Sequence, residues 1–243
     1  MCYHNSLNTK PGELTRRFGL KKGSCPEFSP IGHASGFTYP EWPILTTQQP
    51  ESFLLGNWGL VPDWAQDPTK AAQLRSVTLN ARLETLAEKP SFRGAFKASQ
   101  RCIIPSTGFF EWQKVGKKKI PYFIRMKNKK VFSMAGIWDT WLDQSTGEQL
   151  LTYTIITVPA NPLMAKIHNQ KQRMPAILDP NVEIMWLNPS FSDSELDTAL
   201  SPISDSFLTA YPILSPLNQE GADFETLTQR REYPGLNQQQ SLF

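Results

Sequence analysis

The sequence predicts a loop-rich protein whose central part is a meander or partial barrel of short antiparallel strands. Five segments alternate polar and apolar residues or run apolar, with turn residues between them. These segments are 101–105, 107–113, 121–126, 131–140 and 150–158. Twenty prolines and 14 glycines among 243 residues, with 19% charged residues, argue against a helical bundle.

The residues before this block carry weaker signals. Residues 5–50 are rich in turn-forming residues and predict irregular structure. Short apolar runs predict strands at 53–55 and 58–61. Residues 82–98 have helical composition, interrupted at Pro90, after which a second short helix starts.

After the block, the sequence predicts short elements in close succession. Asn161-Pro162 is a helix N-cap followed by proline at the first helical position. The predicted elements are helices over 162–168, 180–187 and 193–200 and strands over 174–178 and 207–213. From Leu214 the chain becomes polar, which predicts a peripheral or loosely ordered tail.

Composition restricts the class of protein. No segment approaches the roughly 20 apolar residues of a membrane span, and the start of the chain lacks the pattern of a signal peptide. We therefore expect a cytoplasmic protein with no membrane partner. Cys2, Cys25 and Cys102 are far apart and odd in number, so they predict neither a metal site nor a disulfide framework. The net charge of +3 permits nucleic-acid binding through a local patch but does not require it.

Cys2 becomes the N-terminal residue if Met1 is removed, with an amine and a thiol on adjacent carbons. The amine condenses with an aldehyde to an imine, and the thiol then closes a thiazolidine ring. The usual pKa values, about 8 for the amine and about 8.5 for the thiol, make both groups nucleophilic near neutral pH with modest local help. The alternative is that Cys2 is only a small residue at a frayed terminus.

Two residues are candidates for acid–base chemistry. Glu111 lies among aromatic residues in Gly108–Trp112, and desolvation there favours its neutral form and suits a general acid or base. It could equally be a surface residue on a half-buried strand. His168 lies at the predicted end of a short helix, where it either exchanges protons near neutral pH or only complements the helix dipole.

Other residues are candidates for contacts with an anion or a base. Asn80 and Arg82 point to one face of an extended segment, and they offer an amide for a sugar oxygen and a guanidinium for phosphate. The alternative for Asn80 is a turn or helix-entry role. Trp58 and Trp64 could stack on unpaired bases, although we expect at least one of them to be buried in the core. Residues 117–119, three lysines, predict a solvated hairpin tip, with phosphate attraction as a minor alternative.

Six blocks, taken together and in order, resemble the SOS response-associated peptidase (SRAP) family. They are Met1-Cys2, Trp58–Trp64, Asn80–Thr85, Arg101–Pro105, Gly108–Trp112, and Ile167-His168 with Arg173–Pro175. The resemblance extends from residue 2 to about residue 215. It implies one α+β domain over residues 1–215, with a β-rich, barrel-like core flanked by short helices, and a polar tail over residues 216–243.

The resemblance also implies an activity. Met1 is removed by self-cleavage, and Cys2 then bonds to the ring-opened aldehyde of an abasic site, which gives a stable thiazolidine crosslink between DNA and protein. It implies a positively charged cleft for single-stranded DNA as partner, a monomeric protein that associates with the nucleoid during DNA damage, and no metal or other cofactor.

Carried over residue by residue, the resemblance implies a role for each candidate. Cys2 is the nucleophile, and Asn80 orients the N-terminus and the sugar. Glu111 is the acid and base that helps to open the sugar, and it takes part in Met1 removal and crosslink reversal. Arg82 holds a flanking phosphate, and His168 handles protons at the lesion.

The remaining DNA contacts that the resemblance implies are Trp58, Trp64, His4 and Arg173. The family continues Cys-Gly-Arg where this chain has Cys2-Tyr3-His4. His4 is less reliably charged than arginine, and Tyr3 adds bulk that either stacks or alters the pocket entrance. The loop from His168 to Arg173 is longer than usual, so whether Arg173 or Lys171 contacts phosphate stays open.

Two other functions fit the same residues. A cysteine-type peptidase that cleaves other proteins through Cys2 requires an open peptide groove, which a cleft suited to phosphate disfavours. The other alternative is a single-stranded DNA-binding module with no covalent step and an inert Cys2. Retention of Met1 would favour it, because Met1 blocks the amine.

Overall fold

The computed structural model describes residues 2–65, 67–191, 195, 199–219 and 221–233. Its strands are His4–Leu7 (β1), Ile31–Ser35 (β2), Glu41–Thr46 (β3), Leu54–Trp58 (β4), Asn80–Arg82 (β5), Arg101–Ser106 (β6), Gly108–Val115 (β7), Lys118–Met126 (β8), Phe132–Leu142 (β9), Gln149–Pro159 (β10), Arg173–Pro175 (β11), Ile177–Leu178 (β12) and Leu208–Pro212 (β13). Its α-helices are Pro11–Arg17 (α1), Pro68–Val77 (α2), Pro90–Lys97 (α3), Pro162–Ile167 (α4), Pro180–Leu187 (α5) and Phe224–Leu227 (α6). The helix predicted over 193–200 lies largely outside the described residues.

Five strands close into a barrel. Going around it, β10 pairs with β4, β4 with β3, β3 with β6, β6 with β9, and β9 with β10 again. The β4–β10 pair is parallel and the other pairs are antiparallel. Closure pairs the edges that an open sheet would leave free. The α+β domain with a barrel-like core is therefore confirmed.

The barrel interior is filled by side chains, so it is a packed core. A Cβ atom at Gly136 on β9 would lie 2.5 Å from the Ile104 side chain and 3.0 Å from the Cys102 sulfur. Only glycine fits at this close approach of β6 to β9. Cys102 is therefore a core residue on β6, fully buried against the opposite strand.

A second, five-stranded sheet in the order β13-β8-β7-β1-β2 lies beside the barrel. The chain passes from barrel strand β6 into β7 through the single residue Thr107. Buried hydrogen bonds join the two sheets there: Ser106 Oγ donates to Asn5 Oδ1 at 2.7 Å, and the hydroxyls of Ser6 and Thr107 lie 2.9 Å apart. This junction fixes the first strand of the chain against the barrel.

Five of the helices begin with proline at the first helical position. These prolines are Pro11, Pro68, Pro90, Pro162 and Pro180. Proline fits there because its missing N–H would have no intrahelical partner. The helices predicted after Asn161 and Asp179 are confirmed, and both side chains cap their helix. Pro90 begins α3, so the prediction that helical structure starts at residue 82 was wrong; Asn80–Arg82 is strand and Leu83–Thr85 is a 3-10 turn.

The prediction of irregular structure over residues 5–50 was also wrong. This region contains β1, α1, β2 and β3. β1 is only four residues long and pairs with β2 and with the distant β7. Strands this short show too few alternations for a pattern to be recognised, and their partners are not sequence neighbours.

The C-terminal part of the described chain packs on the second sheet. Strand β13 confirms the strand predicted over 207–213. Leu227 of α6 is buried, and the Tyr233 hydroxyl donates to the Ile213 carbonyl at 2.7 Å. Residues 224–233 are thus attached to the domain surface. Within the described ranges, no helix is long and apolar enough to cross a membrane.

Candidate functional site

The N-terminal residues are held at three successive positions. The Asn80 side chain donates from Nδ2 to the Cys2 carbonyl at 2.9 Å, and the Gly36 backbone N–H donates to the Tyr3 carbonyl at 2.8 Å. His4 pairs as part of β1 with Ser35 on one side and with Phe110 on the other. The interpretation of Cys2 as a residue at a frayed terminus is therefore wrong.

The Cys2 thiol is fully buried, and its sulfur lies 3.7 Å from the His4 carbonyl oxygen. Burial raises the pKa of the thiol far above its ordinary value, and the Glu111 carboxylate raises it further. The sulfur is consequently a neutral thiol near pH 7. It needs a nearby base at the moment it attacks an electrophile.

Glu111 lies on β7 with 5% of its surface exposed. Burial raises the pKa of its carboxyl group to about 7. A group with this pKa is divided between acid and base at neutral pH, which suits proton transfer in both directions. The alternative interpretation of Glu111 as a surface residue is wrong.

Asn80 lies on β5, which pairs in parallel with β10 and places Asn80 beside Ile155. Its Nδ2 group is used on the Cys2 carbonyl. Its Oδ1 atom is buried and has no hydrogen-bond partner among the described residues. Asn80 is thus a strand residue that orients the N-terminus and keeps one acceptor for another donor.

His168 directly follows α4, as predicted, and is buried. Its Nδ1 atom lies 2.9 Å from the carbonyl oxygen and 3.1 Å from the backbone nitrogen of Arg173. Burial lowers the pKa of His168 to about 4. The imidazole is therefore neutral at physiological pH, and any charge it takes up is transient.

Glu111 and His168 line one cavity of about 350 Å³, whereas the buried Cys2 and Asn80 are not among its lining residues. Its lining residues are Tyr3, His4, Glu111, Trp112, Lys114, Lys119, His168, Gln170, Lys171 and Leu217. Larger cavities of about 580 and 480 Å³ adjoin α1 and contain none of the predicted site residues. The smaller cavity is consequently the candidate site.

Three exposed lysines give the cavity a positive rim. Lys114 and Lys119 are directly opposite each other on the β7–β8 hairpin, and Lys171 follows α4. Like charges in opposing positions destabilise a strand pair, so an anion between them would relieve the repulsion. The lysine run at 117–119 does form a hairpin tip, as predicted. Lys114 was not recognised from sequence, although the turn at Gly116 makes it the partner of Lys119.

His4 does not supply positive charge at neutral pH. Its Nδ1 atom lies 2.9 Å from Nε2 of His33, and the two rings stack. Burial and the neighbouring His33 lower the pKa of His4 to about 4. The ring is thus neutral and already paired with His33, but it lines the cavity, so a contact of His4 with DNA stays a prediction. His33 was not predicted to lie near the site.

Arg173 is buried and paired with groups of the fold. Only 7% of its surface is exposed. Its guanidinium forms a two-pronged ion pair with Glu84, with one contact of 2.9 Å, and also donates to the Thr157 carbonyl. Its charge is neutralised within the fold, so the predicted contact of Arg173 with DNA would require this ion pair to open. Lys171 is the exposed cation of this loop.

Of the two predicted tryptophans, one lies in the core and the other on the surface. Trp58 is fully buried and donates from its indole N–H to the Leu79 carbonyl at 2.8 Å, so its predicted base contact was wrong. Trp64 is 45% exposed and can offer a face to a ligand. Arg82, at the end of β5, is exposed but lies outside the cavity lining.

Comparisons with known proteins agree with this fold. Abasic site processing protein YoqW of Bacillus subtilis is 37% identical over 225 residues, 90% of this chain and 94% of that protein. Abasic site processing protein HMCES of Gallus gallus is 40% identical over 152 residues, 54% of this chain and 44% of that protein. The crystal structure of a Bacteroides thetaiotaomicron protein is 40% identical with a TM-score of 0.88, covering 95% of this chain and all of that one. A family model matches residues 1–220, and the chain accordingly belongs to the SOS response associated peptidase (SRAP) family.

Proposed function

We propose that this protein processes abasic sites in single-stranded DNA by bonding Cys2 to the ring-opened sugar after Met1 has been removed. The observation that carries the proposal is the joint burial of Cys2 and Glu111 beside a lysine-lined cavity. Two relatives that carry the name abasic site processing protein support the same substrate.

The reaction needs an amine, a thiol and a proton-transfer group. The Cys2 amine adds to the aldehyde carbon of the open sugar, and loss of one water gives an imine. The Cys2 thiol then adds to the imine carbon, with its proton passing to the former imine nitrogen, and closes the thiazolidine. Aldehyde, amine and thiol thereby combine with loss of a single water.

Glu111 suits both proton transfers in this sequence. As an acid it protonates the departing oxygen, and as a base it takes the proton of a thiol whose pKa burial has raised. The Asn80 amide fixes the Cys2 carbonyl and so orients the amine. His168 contributes a neutral imidazole at the same cavity.

The same groups support removal of Met1. Hydrolysis of the Met1–Cys2 peptide bond consumes one water and releases methionine and a free Cys2 amine. We propose that Glu111 is the base for this step, which makes the protein a self-processing peptidase. The positive rim favours phosphate over the peptide groups of other proteins, so a peptidase acting on other proteins is the less favoured function.

Single-stranded DNA fits the surface around the cavity. Lys114, Lys119 and Lys171 line the cavity, where their charges can attract phosphates on either side of the lesion. Arg82 and the exposed Trp64 offer a further phosphate contact and a stacking face. A complementary strand would cover the sugar, so an unpaired strand reaches the buried Cys2 more easily.

Intact-protein mass spectrometry tests the proposal. We expect purified protein to lack the mass of Met1 and to shift by the oligonucleotide mass, stably to heat, after incubation with a single-stranded abasic oligonucleotide. Cys2→Ala should lose the shift and keep non-covalent binding. Cys25→Ala, a cysteine outside the cavity, is the matched control and should still shift. A Met1-free protein that never shifts would contradict the covalent reaction.

A further inference from the structure

Two aromatic rings lie together beside the reactive residue. Tyr3 lines the cavity, and its ring centroid is 5.0 Å from that of Phe37, with the planes inclined by 37°. Phe37 is 54% exposed. This aromatic pair, Tyr3 and Phe37, therefore presents apolar surface to solvent at the position next to Cys2.

The backbone under the aromatic pair is fixed. Phe37 lies in a 3-10 turn, Gly36–Thr38, that begins at Ser35. The Thr38 hydroxyl donates to the Ser35 carbonyl at 2.8 Å, and the Gly36 N–H donates to the Tyr3 carbonyl at 2.8 Å. The turn and the N-terminal residues thus hold each other, which fixes the backbone positions that carry the two rings.

The turn also rests on the core. A Cβ atom at Gly36 would lie 3.2 Å from the buried indole of Trp58, so the backbone passes directly over this ring. Trp58, which is fully buried, thus supports the turn that carries Phe37. Rings carried on a fixed backbone have less conformational entropy to lose when a flat ligand stacks on them.

The surroundings of the aromatic pair indicate which ligand it takes. One side of the same cavity carries Lys114, Lys119 and Lys171, which suit an anionic backbone. Burial and the nearby Glu111 carboxylate raise the pKa of the Tyr3 phenol, so its ring is uncharged at physiological pH. Uncharged aromatic rings beside cations match the base and phosphate of a nucleotide.

We propose that Tyr3 and Phe37 form a stacking platform for the nucleobase next to the abasic site. An abasic nucleotide has no base of its own to hold it in place, so stacking of its neighbour sets the position of the sugar relative to Cys2. Purines have the larger face, and the protein consequently prefers a purine neighbour. The inference rests on the proposed function, because it names how that substrate is positioned.

Binding to oligonucleotides with a tetrahydrofuran abasic analogue tests the platform without any covalent step, because this analogue cannot open to an aldehyde. We expect the protein to bind an adenine-flanked analogue several-fold more tightly than a thymine-flanked one, measured by fluorescence anisotropy. Tyr3→Gly should weaken binding of the adenine-flanked strand about tenfold, the effect of losing one stacked base. Tyr3→Phe, which keeps the ring, should retain the preference for adenine.

Two further variants control for misfolding and for non-specific effects of the substitution. Phe37→Ala removes an exposed ring and should also reduce the preference for adenine. Ile184→Ala removes an exposed apolar side chain outside the cavity and should leave the preference unchanged. A 2-aminopurine beside the analogue should be quenched on binding to the protein, and Tyr3→Gly should restore its fluorescence.

The two proposals fail in different ways. If the unmodified protein crosslinks a true abasic strand but Tyr3→Gly binds adenine- and thymine-flanked analogues as the protein itself does, the platform is wrong and the proposed function stands. If the protein forms no crosslink with any abasic strand, the proposed function is wrong, whatever the flanking base does.

Discussion

At the scale of single residues, the site depends on a carboxyl group placed where its charge is unfavourable. Glu111 and the Cys2 thiol are both buried; burial raises the pKa of Glu111, and the Glu111 carboxylate in turn raises the pKa of the Cys2 thiol. Such an arrangement does not favour folding at neutral pH, but it supplies a proton donor and acceptor at the working pH. The free-energy cost of ionising Glu111 in the fold should be measurable as a dependence of stability on pH.

We predict that Glu111→Gln changes how stability depends on pH. The pKa of Glu111 rises from 4.5 to about 7 on folding, so between these values the folded protein binds more protons than the unfolded chain. Its contribution to the free energy of unfolding is therefore present below pH 4.5 and lost as pH rises through 7. Glutamine stays neutral and removes this loss, on the order of 3 kcal/mol.

Urea unfolding at pH 4 and pH 8 checks this prediction. The difference in unfolding free energy between Glu111→Gln and the unmodified protein should be more favourable to the variant at pH 8. An identical difference at both values of pH would show that Glu111 ionises normally in the fold.

At the scale of elements, the segment that leads from α4 into β11 carries two cations, one paired inside the fold and one exposed at the cavity. Arg173 is turned inward, where it ties β11 to Glu84 after β5 and to Thr157 on β10. Lys171, two residues earlier, lines the cavity. Strand β5 bears Asn80, so the inward ion pair also helps to set the position of the residue that holds Cys2.

We predict that Arg173 contributes mainly to stability and Lys171 mainly to binding of single-stranded DNA. Arg173→Met leaves Glu84 and the Thr157 carbonyl without their partner and should lower the free energy of unfolding by about 2 kcal/mol, less than for a fully buried pair because Glu84 is half exposed. Lys171→Met should change stability by less than about 0.5 kcal/mol and weaken binding of single-stranded DNA.

Chemical unfolding and anisotropy of the same two variants provide the check. If Arg173→Met kept full stability and lost DNA binding, Arg173 would be a DNA contact after all. Lys171 serves as the matched control, since it is a cation of the same loop with its charge exposed.

At the scale of the whole molecule, the fold concentrates a modest net charge. The chain carries only +3, yet three lysines of the cavity rim have no carboxylate partner among the described residues. Binding of single-stranded DNA should therefore depend on salt through a few defined contacts rather than through overall charge.

We predict a measurable change in this salt dependence. Replacing Lys114, Lys119 and Lys171 with glutamine should reduce the slope of log Kd against log salt concentration by about 2, because each phosphate contact on a single strand contributes about 0.7. The same replacement at Lys21, Lys22 and Lys97, which are exposed outside the cavity, should leave the slope nearly unchanged. Equal slopes for the two triple variants would exclude the cavity rim as the phosphate site.

Local sequence signals predicted the elements whose partners are neighbours in the chain. The hairpins between residues 101 and 158 follow from alternation and turn residues, and β9 pairs with β10 along most of its length. Proline after asparagine or aspartate predicted α4 and α5, and the same pattern at Asp67-Pro68 marks α2, which was not predicted. The strands of residues 5–50 were not predicted, because β1 is stabilised by β7, a hundred residues away.

The sequence by itself determined which chemical groups the protein has, and its motifs singled out Cys2, Glu111, Asn80 and His168 before any contact was known. Only the tertiary structure decided in what state these groups are held. Burial makes His168 and His4 neutral and Glu111 half-ionised. The physical reason is that a pKa and the availability of a charge depend on desolvation and on partners far away in the chain, which no local pattern records.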